Sequence, residues 1–134
     1  MITEDYVSFE TAKLLKEKGF NERTNMPYID DYQRLVCYIP TLQMAIKWPN
    51  DIHHILVVSD YEYEFTDTSW YFKIYRLGEN GKPERVPVKG VTYDDSGEHE
   101  HIVRYMDYER SYKDYATREE AEEDGIRYCL TNLI

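Results

Sequence analysis

Apolar residues recur along this chain with two different periods, and each change of period marks a new element. Over residues 8–18, Phe9, Ala12, Leu15 and the neighbouring Leu14 fall at helical spacing, while Lys13, Lys16, Glu17 and Lys18 take the opposite face. Ser8 stands where an N-cap belongs, Glu10 in the first turn and Gly19 where a left-handed residue ends a helix. Val7 and Ala12 have the spacing of a hydrophobic staple.

Residues 21–32 mix polar side chains with Pro27 and Asp30-Asp31 and read as a loop. Period two takes over at Gln33–Ile39, where Leu35, Cys37 and Ile39 alternate with Arg34, Val36 and Tyr38, and Pro40 ends this strand. Thr41 caps a second helical stripe of Leu42, Ala45, Ile46 and Trp48, which Pro49 is expected to interrupt after two turns. Ile55–Phe65 opens on a continuous apolar run and then alternates, as a strand with a buried first half does. Trp70–Leu77 is rich in aromatic and β-branched residues, and a hairpin across Thr66, Asp67 and Thr68 is the simplest link between the two.

Residues 78–100 carry Asn80-Gly81, Pro83, Pro87, Gly90 and Asp94-Asp95, a turn-rich insertion with one short strand near Val86–Tyr93, whose order the sequence leaves open. The sheet resumes at His101–Tyr108. Thr117 and Glu120 have capping-box spacing and start a last helix through Ile126, Cys129, Leu130 and Leu133, with Gly125 an unfavourable residue in its interior. The order α-β-α-β-β-(β)-β-α makes this an α+β fold: an antiparallel sheet of three to five strands with about three helices packed mainly on one face. Residues 1–134 fit a single domain.

Composition narrows the class further. Of 134 residues, 42% are hydrophobic and 31% charged, too apolar for general disorder and too evenly mixed for a membrane protein. The longest strongly apolar run, Ile55 to Val58, is far too short to span a bilayer, and Glu4 and Asp5 stand where a signal peptide carries bases, so the expected location is cytoplasmic. The net charge is −10, and residues 94–124 hold twelve acids against four bases. Direct binding to nucleic-acid backbone needs clustered Lys and Arg, so neither nucleic acid nor an anionic membrane is an expected partner. Cys37 and Cys129 each sit in an apolar pattern and read as buried free thiols rather than as a zinc framework.

Three stretches raise a question of chemistry. Strand alternation at Glu98-His99-Glu100-His101 puts His99 and His101 on one face, a spacing some metal sites use, although no third ligand is identifiable. Tyr61, Tyr63, Trp70, Tyr71 and Tyr75 come close together in the expected hairpin and form a candidate interaction surface, against the simpler reading that they pack the sheet. The acids of 94–124 resemble the charge of a DNA backbone, against the simpler reading of a solvated helix face. No P-loop, GxGxxG, GxSxG or HExxH pattern is present, so no catalytic residue and no cofactor are assigned.

The block from Tyr6 to Phe20 (YVSFETAKLLKEKGF), the block from Pro40 to Trp48 (PTLQMAIKW) and the block from Tyr128 to Ile134 (YCLTNLI) together resemble a family of small proteins from gut Bacteroides-type bacteria and their bacteriophages. The family has no assigned activity. The resemblance therefore implies a phage or mobile-element setting and brings no site residue with it. Pro49 and residues 78–100 depart from the family pattern. The leading expectation is a non-enzymatic accessory protein that binds another protein through aromatic and acidic surfaces. The alternatives are a small metal-dependent enzyme built on Glu98–His101 and an acidic DNA-mimic inhibitor.

Overall fold

A computed structural model describes residues 4–64, 67–94, 101–111 and 114–134. The first helix, α1 (Phe9–Glu17), is capped by Ser8, whose hydroxyl accepts from the Thr11 N–H, and Gly19 follows at φ 112°. The last, α3 (Arg118–Asn132), starts at Thr117, which accepts from the Glu120 N–H. Both were legible from their caps.

The other helix, α2 (Leu42–His53), corrects an expectation, because Pro49 lies inside it rather than ending it. Proline's fixed φ suits a helix, so its presence costs the one N–H bond to the preceding turn and some crowding. Here the ring is fully buried, and the helix runs another turn to His54, whose left-handed backbone (φ 56°) terminates it.

A second correction falls in the segment read as loop. Pro27–Ile29 is a strand, β1, paired antiparallel with β2 (Leu35–Tyr38), Tyr28 standing opposite Cys37. Three residues carry too little alternation to show a period, and Pro27 reads as a breaker. Proline is nevertheless at home on an edge strand.

The central sheet has the order β3-β4-β5. Strands β3 (Ile55–Glu64) and β4 (Asp67–Leu77) form the expected hairpin, with Glu64 opposite Asp67, so that Asp67 and Thr68 belong to the strand. The expected strand near Val86–Tyr93 is β6 (Val88–Asp94), which pairs with β7 (His101–Tyr108), and ahead of Pro87 a further strand that the sequence read as turn, β5 (Pro83–Val86), pairs with Ile74–Leu77. The described residues thus contain three helices and seven strands in antiparallel sheets of two, three and two, an α+β fold.

The β4 edge beyond β5 is taken by a different segment. Trp70 and Tyr115 exchange both backbone hydrogen bonds at 2.9 Å, and Ser111 donates its N–H to the Phe72 carbonyl at 2.8 Å. The chain therefore leaves the sheet beside Ile74, extends as the β6–β7 ribbon and returns beside Phe72.

The core lies between this sheet and the helices. One face of the hairpin contributes Ile55, Val57, Phe72 and Ile74, and α3 lays Ala121, Gly125, Ile126, Cys129 and Leu130 into the interior. No helix among the described residues is long and apolar enough to cross a membrane.

Both cysteines are buried free thiols. Burial pushes the Cys129 thiol from its ordinary 9.0 up to about 12. A folded-state pKa above the unfolded one contributes stability that is fully present below pH 9 and is lost as the pH rises towards about 12. Urea midpoints measured from about pH 8 to about pH 11 are expected to fall, and to fall less steeply in Cys129→Ala. An equal slope in the variant would remove Cys129 as a cause.

Candidate functional site

The hairpin register distributes the five aromatic residues over two faces. Tyr61 stands opposite Trp70, their ring centroids 5.1 Å apart, on the face that carries Val57 and Phe72 further along. Tyr71 and Tyr75 alternate onto the other face. There the Tyr71 hydroxyl donates to Asp60 at 3.3 Å, and its ring lies 4.4 Å beneath the Arg110 guanidinium, which also pairs with Glu62 at 3.0 Å. The Arg85 guanidinium lies 6.0 Å over the Tyr75 ring. Trp70, Tyr71 and Tyr75 are half-buried, and only Tyr61 of these four is exposed. Of Tyr63, the described part is the backbone opposite Thr68.

His99 lies outside the described residues, as do Glu98 and Glu100, and of His101 the described part is its backbone opposite Asp94. Among the described residues no three His, Cys, Asp or Glu side chains gather to hold a metal ion.

The acidic start of α3 has a structural task that the charge pattern did not show. Three successive acids, half-buried, fan out to β3, to the start of α1 and to Tyr115 ahead of α3. Glu122 accepts from the Ser59 hydroxyl at 2.8 Å. Glu123 accepts from the Ser8 N–H at 2.6 Å and the Thr11 hydroxyl at 2.9 Å, placing a carboxylate at the positive end of α1. Asp124 accepts from the Tyr115 hydroxyl, and burial, with this carboxylate beside it, pushes the Tyr115 pKa well up. Successive helical positions turn by about 100°, so adjacent acids reach separate partners. These three carboxylates join elements together and do not form a solvent-facing row.

Exposed apolar surface concentrates elsewhere. Of the seven large hydrophobic side chains left exposed among the described residues, Met26, Tyr28, Ile29, Tyr32 and Leu35 come from one ten-residue stretch, with Ile29 at 52%, Leu35 at 50% and Tyr32 at 78% exposure. The Phe9 ring stacks on Tyr28 at 3.9 Å and supports the stretch from below. Beside it, Leu35 and Cys37, two apart on β2, line a hollow of about 190 Å³ together with Phe20, Tyr38, Lys16 and Glu22.

The edges of this small sheet are guarded. Pro27 offers no N–H, and the Lys16 ammonium donates to the Val36 carbonyl. Proline and lysine on edge strands discourage the addition of another strand, which leaves the side-chain face as the available surface. Sequence reasoning missed this site because the segment was taken for loop. The signal that was there is the density of Met26, Tyr28, Ile29 and Tyr32 in a stretch too polar and too short to be core.

Comparison with protein-family models, with curated proteins and with solved structures finds no match to this chain.

Proposed function

We propose that this chain is a protein-binding module whose docking surface is the β1–β2 hairpin and the hollow beside it. The observation that carries the reading is the exposure of Met26, Ile29, Tyr32 and Leu35 along one hairpin, on its strands, at its entry and in its turn. An exposed apolar cluster with a polar surround is the usual mark of an interaction site. Aromatic and aliphatic anchors next to a pocket are where binding energy concentrates. The role is that of an accessory protein rather than of an enzyme, and the resemblance of residues 6–20, 40–48 and 128–134 adds a phage or mobile-element setting to it.

The test compares capture by three forms of the chain. A protein retained by the wild type is expected to be lost with Ile29→Asp/Leu35→Asp and kept with Tyr71→Ala, circular dichroism showing all three folded. Ile29 and Leu35 are half exposed and stand opposite each other, so placing two like charges there is expected to cost about 1–2 kcal/mol of stability, within what a folded domain tolerates. Equal retention by the wild type and the double variant, or loss with Tyr71→Ala alone, would move the surface away from the hairpin.

A further inference from the structure

We infer that the hollow beside β2 takes a single large apolar side chain from an acidic peptide segment of the partner. This deepens the docking reading above and rests on it. Size comes first. A cavity of about 150 Å³ lined by apolar side chains holds a benzene ring, so about 190 Å³ between Phe20, Leu35 and Cys37 admits one aromatic or branched aliphatic group. Leu35 belongs both to this hollow and to the exposed stretch, so a chain lying across the hairpin can reach in with one residue.

Charge names the rest of the guest. In a protein of net charge −10, this hollow has Lys16 in its lining and Lys13 and Arg23 against neighbouring rings. Burial pushes the Cys37 thiol up, and the nearby positive charges of Lys16 and Lys13 act against that shift. The Arg23 guanidinium lies 6.0 Å over the ring of Tyr38, and the Lys13 ammonium 5.4 Å over Phe9, the ring that supports Tyr28. Glu22 is the acidic residue of the lining. Lys16 is held in place by its bond to the Val36 carbonyl, and an ammonium has three N–H donors, which leaves two for a carboxylate. A cation positioned at the mouth of an apolar hole selects an anchor flanked by Asp or Glu and disfavours one flanked by Lys.

Three synthetic peptides added to the isotopically labelled full chain test the inference by nuclear magnetic resonance. They have one central Phe flanked by Asp and Glu, the same flanks around Ala, and the same Phe flanked by Lys. The acidic Phe peptide is expected to shift the amide signals of Phe20, Leu35, Cys37 and Tyr38. Its affinity should exceed that of the Ala peptide by about tenfold or more, the worth of burying one aromatic side chain. It should also weaken as salt is raised and in Lys13→Glu/Lys16→Glu. The peptide comparison is made on the wild-type protein, so it stands whether or not that variant folds. Equal binding of the Lys-flanked peptide, shifts centred on another surface or no shifts at all would overturn the inference. So would shifts of the same signals on concentrating the protein alone, which would give the hollow to a second copy. If capture depends on Ile29 and Leu35 while the acidic Phe peptide does not bind, the peptide chemistry fails and the docking surface stands; if capture also ignores those residues, both fail.

Discussion

Gly125→Ala is expected to lower the unfolding free energy by about 1–3 kcal/mol, the range for forcing an extra carbon into a filled interior. On helix propensity alone the same change would stabilise by about 1 kcal/mol, so the sign of the result is informative. A methyl group on Gly125 would lie 2.6 Å from Val57 Cγ1 and 3.1 Å and 3.2 Å from two atoms of the Phe72 ring. Neither neighbour yields easily. Valine is stiff about χ1, and Val57 and Phe72 are both buried in the hairpin beneath α3. The helix would have to lift from β3 and β4, thinning the contacts of Ile126 and Leu130 as it moved. A fall in the urea midpoint at unchanged slope is the expected observation. An alanine variant as stable as the wild type would mean that α3 does not sit so close to the sheet.

Glu123→Ala is expected to cost about 2–3 kcal/mol, and Glu123→Gln distinctly less. The carboxylate accepts two hydrogen bonds from the start of α1, and hydrogen bonds to a charged group are worth about 1.5–3 kcal/mol each without adding fully. Alanine removes the acceptor and leaves the Ser8 N–H and the Thr11 hydroxyl facing the gap, Thr11 itself being buried. Glutamine keeps an oxygen there and loses only the charge, together with its interaction with the helix dipole. Thermal melts of the two variants against the wild type read the difference. If alanine and glutamine are equally harmless, Glu123 is a solvated acid and α1 is held to α3 by apolar packing alone.

Much of the architecture could be read before any coordinates, because local chemistry and tertiary context agreed. Ser8, Thr41 and Thr117 cap the helices they were expected to cap. The hairpin of β3 and β4 follows from the alternation of Ile55–Glu64 and the aromatic content of Trp70–Leu77. Where reading failed, tertiary burial had overruled a local rule. Pro49 stays helical because its ring is buried, and Pro27 joins a strand because Cys37 and Tyr38 are there to pair with β1. Gly125 looked like a defect until its missing Cβ proved to be what lets α3 approach Val57 and Phe72.

The candidate surface was less legible, and for a definite reason. A list of aromatic residues does not say which of them find partners. Tyr71 meets Asp60 and Arg110, whereas the Tyr32 ring meets the Arg34 guanidinium, 5.1 Å from its centroid, and stays 78% exposed. The acidic segment has the same lesson in reverse. Charge alone cannot tell a solvated glutamate from one such as Glu123, whose partners lie more than a hundred residues away in the chain.

The place where the β6–β7 ribbon joins the sheet bears on how freely its length can vary. Departure opposite Ile74 and re-entry opposite Phe72 put the two ends of residues 87–110 at neighbouring rungs of one ladder. Closing a loop between fixed ends grows costlier only as the logarithm of its length, so a change of length between Val88 and Arg110 is expected to leave the pairing of β4 intact, provided that Val88 stays in the core and Arg110 keeps its pair with Glu62.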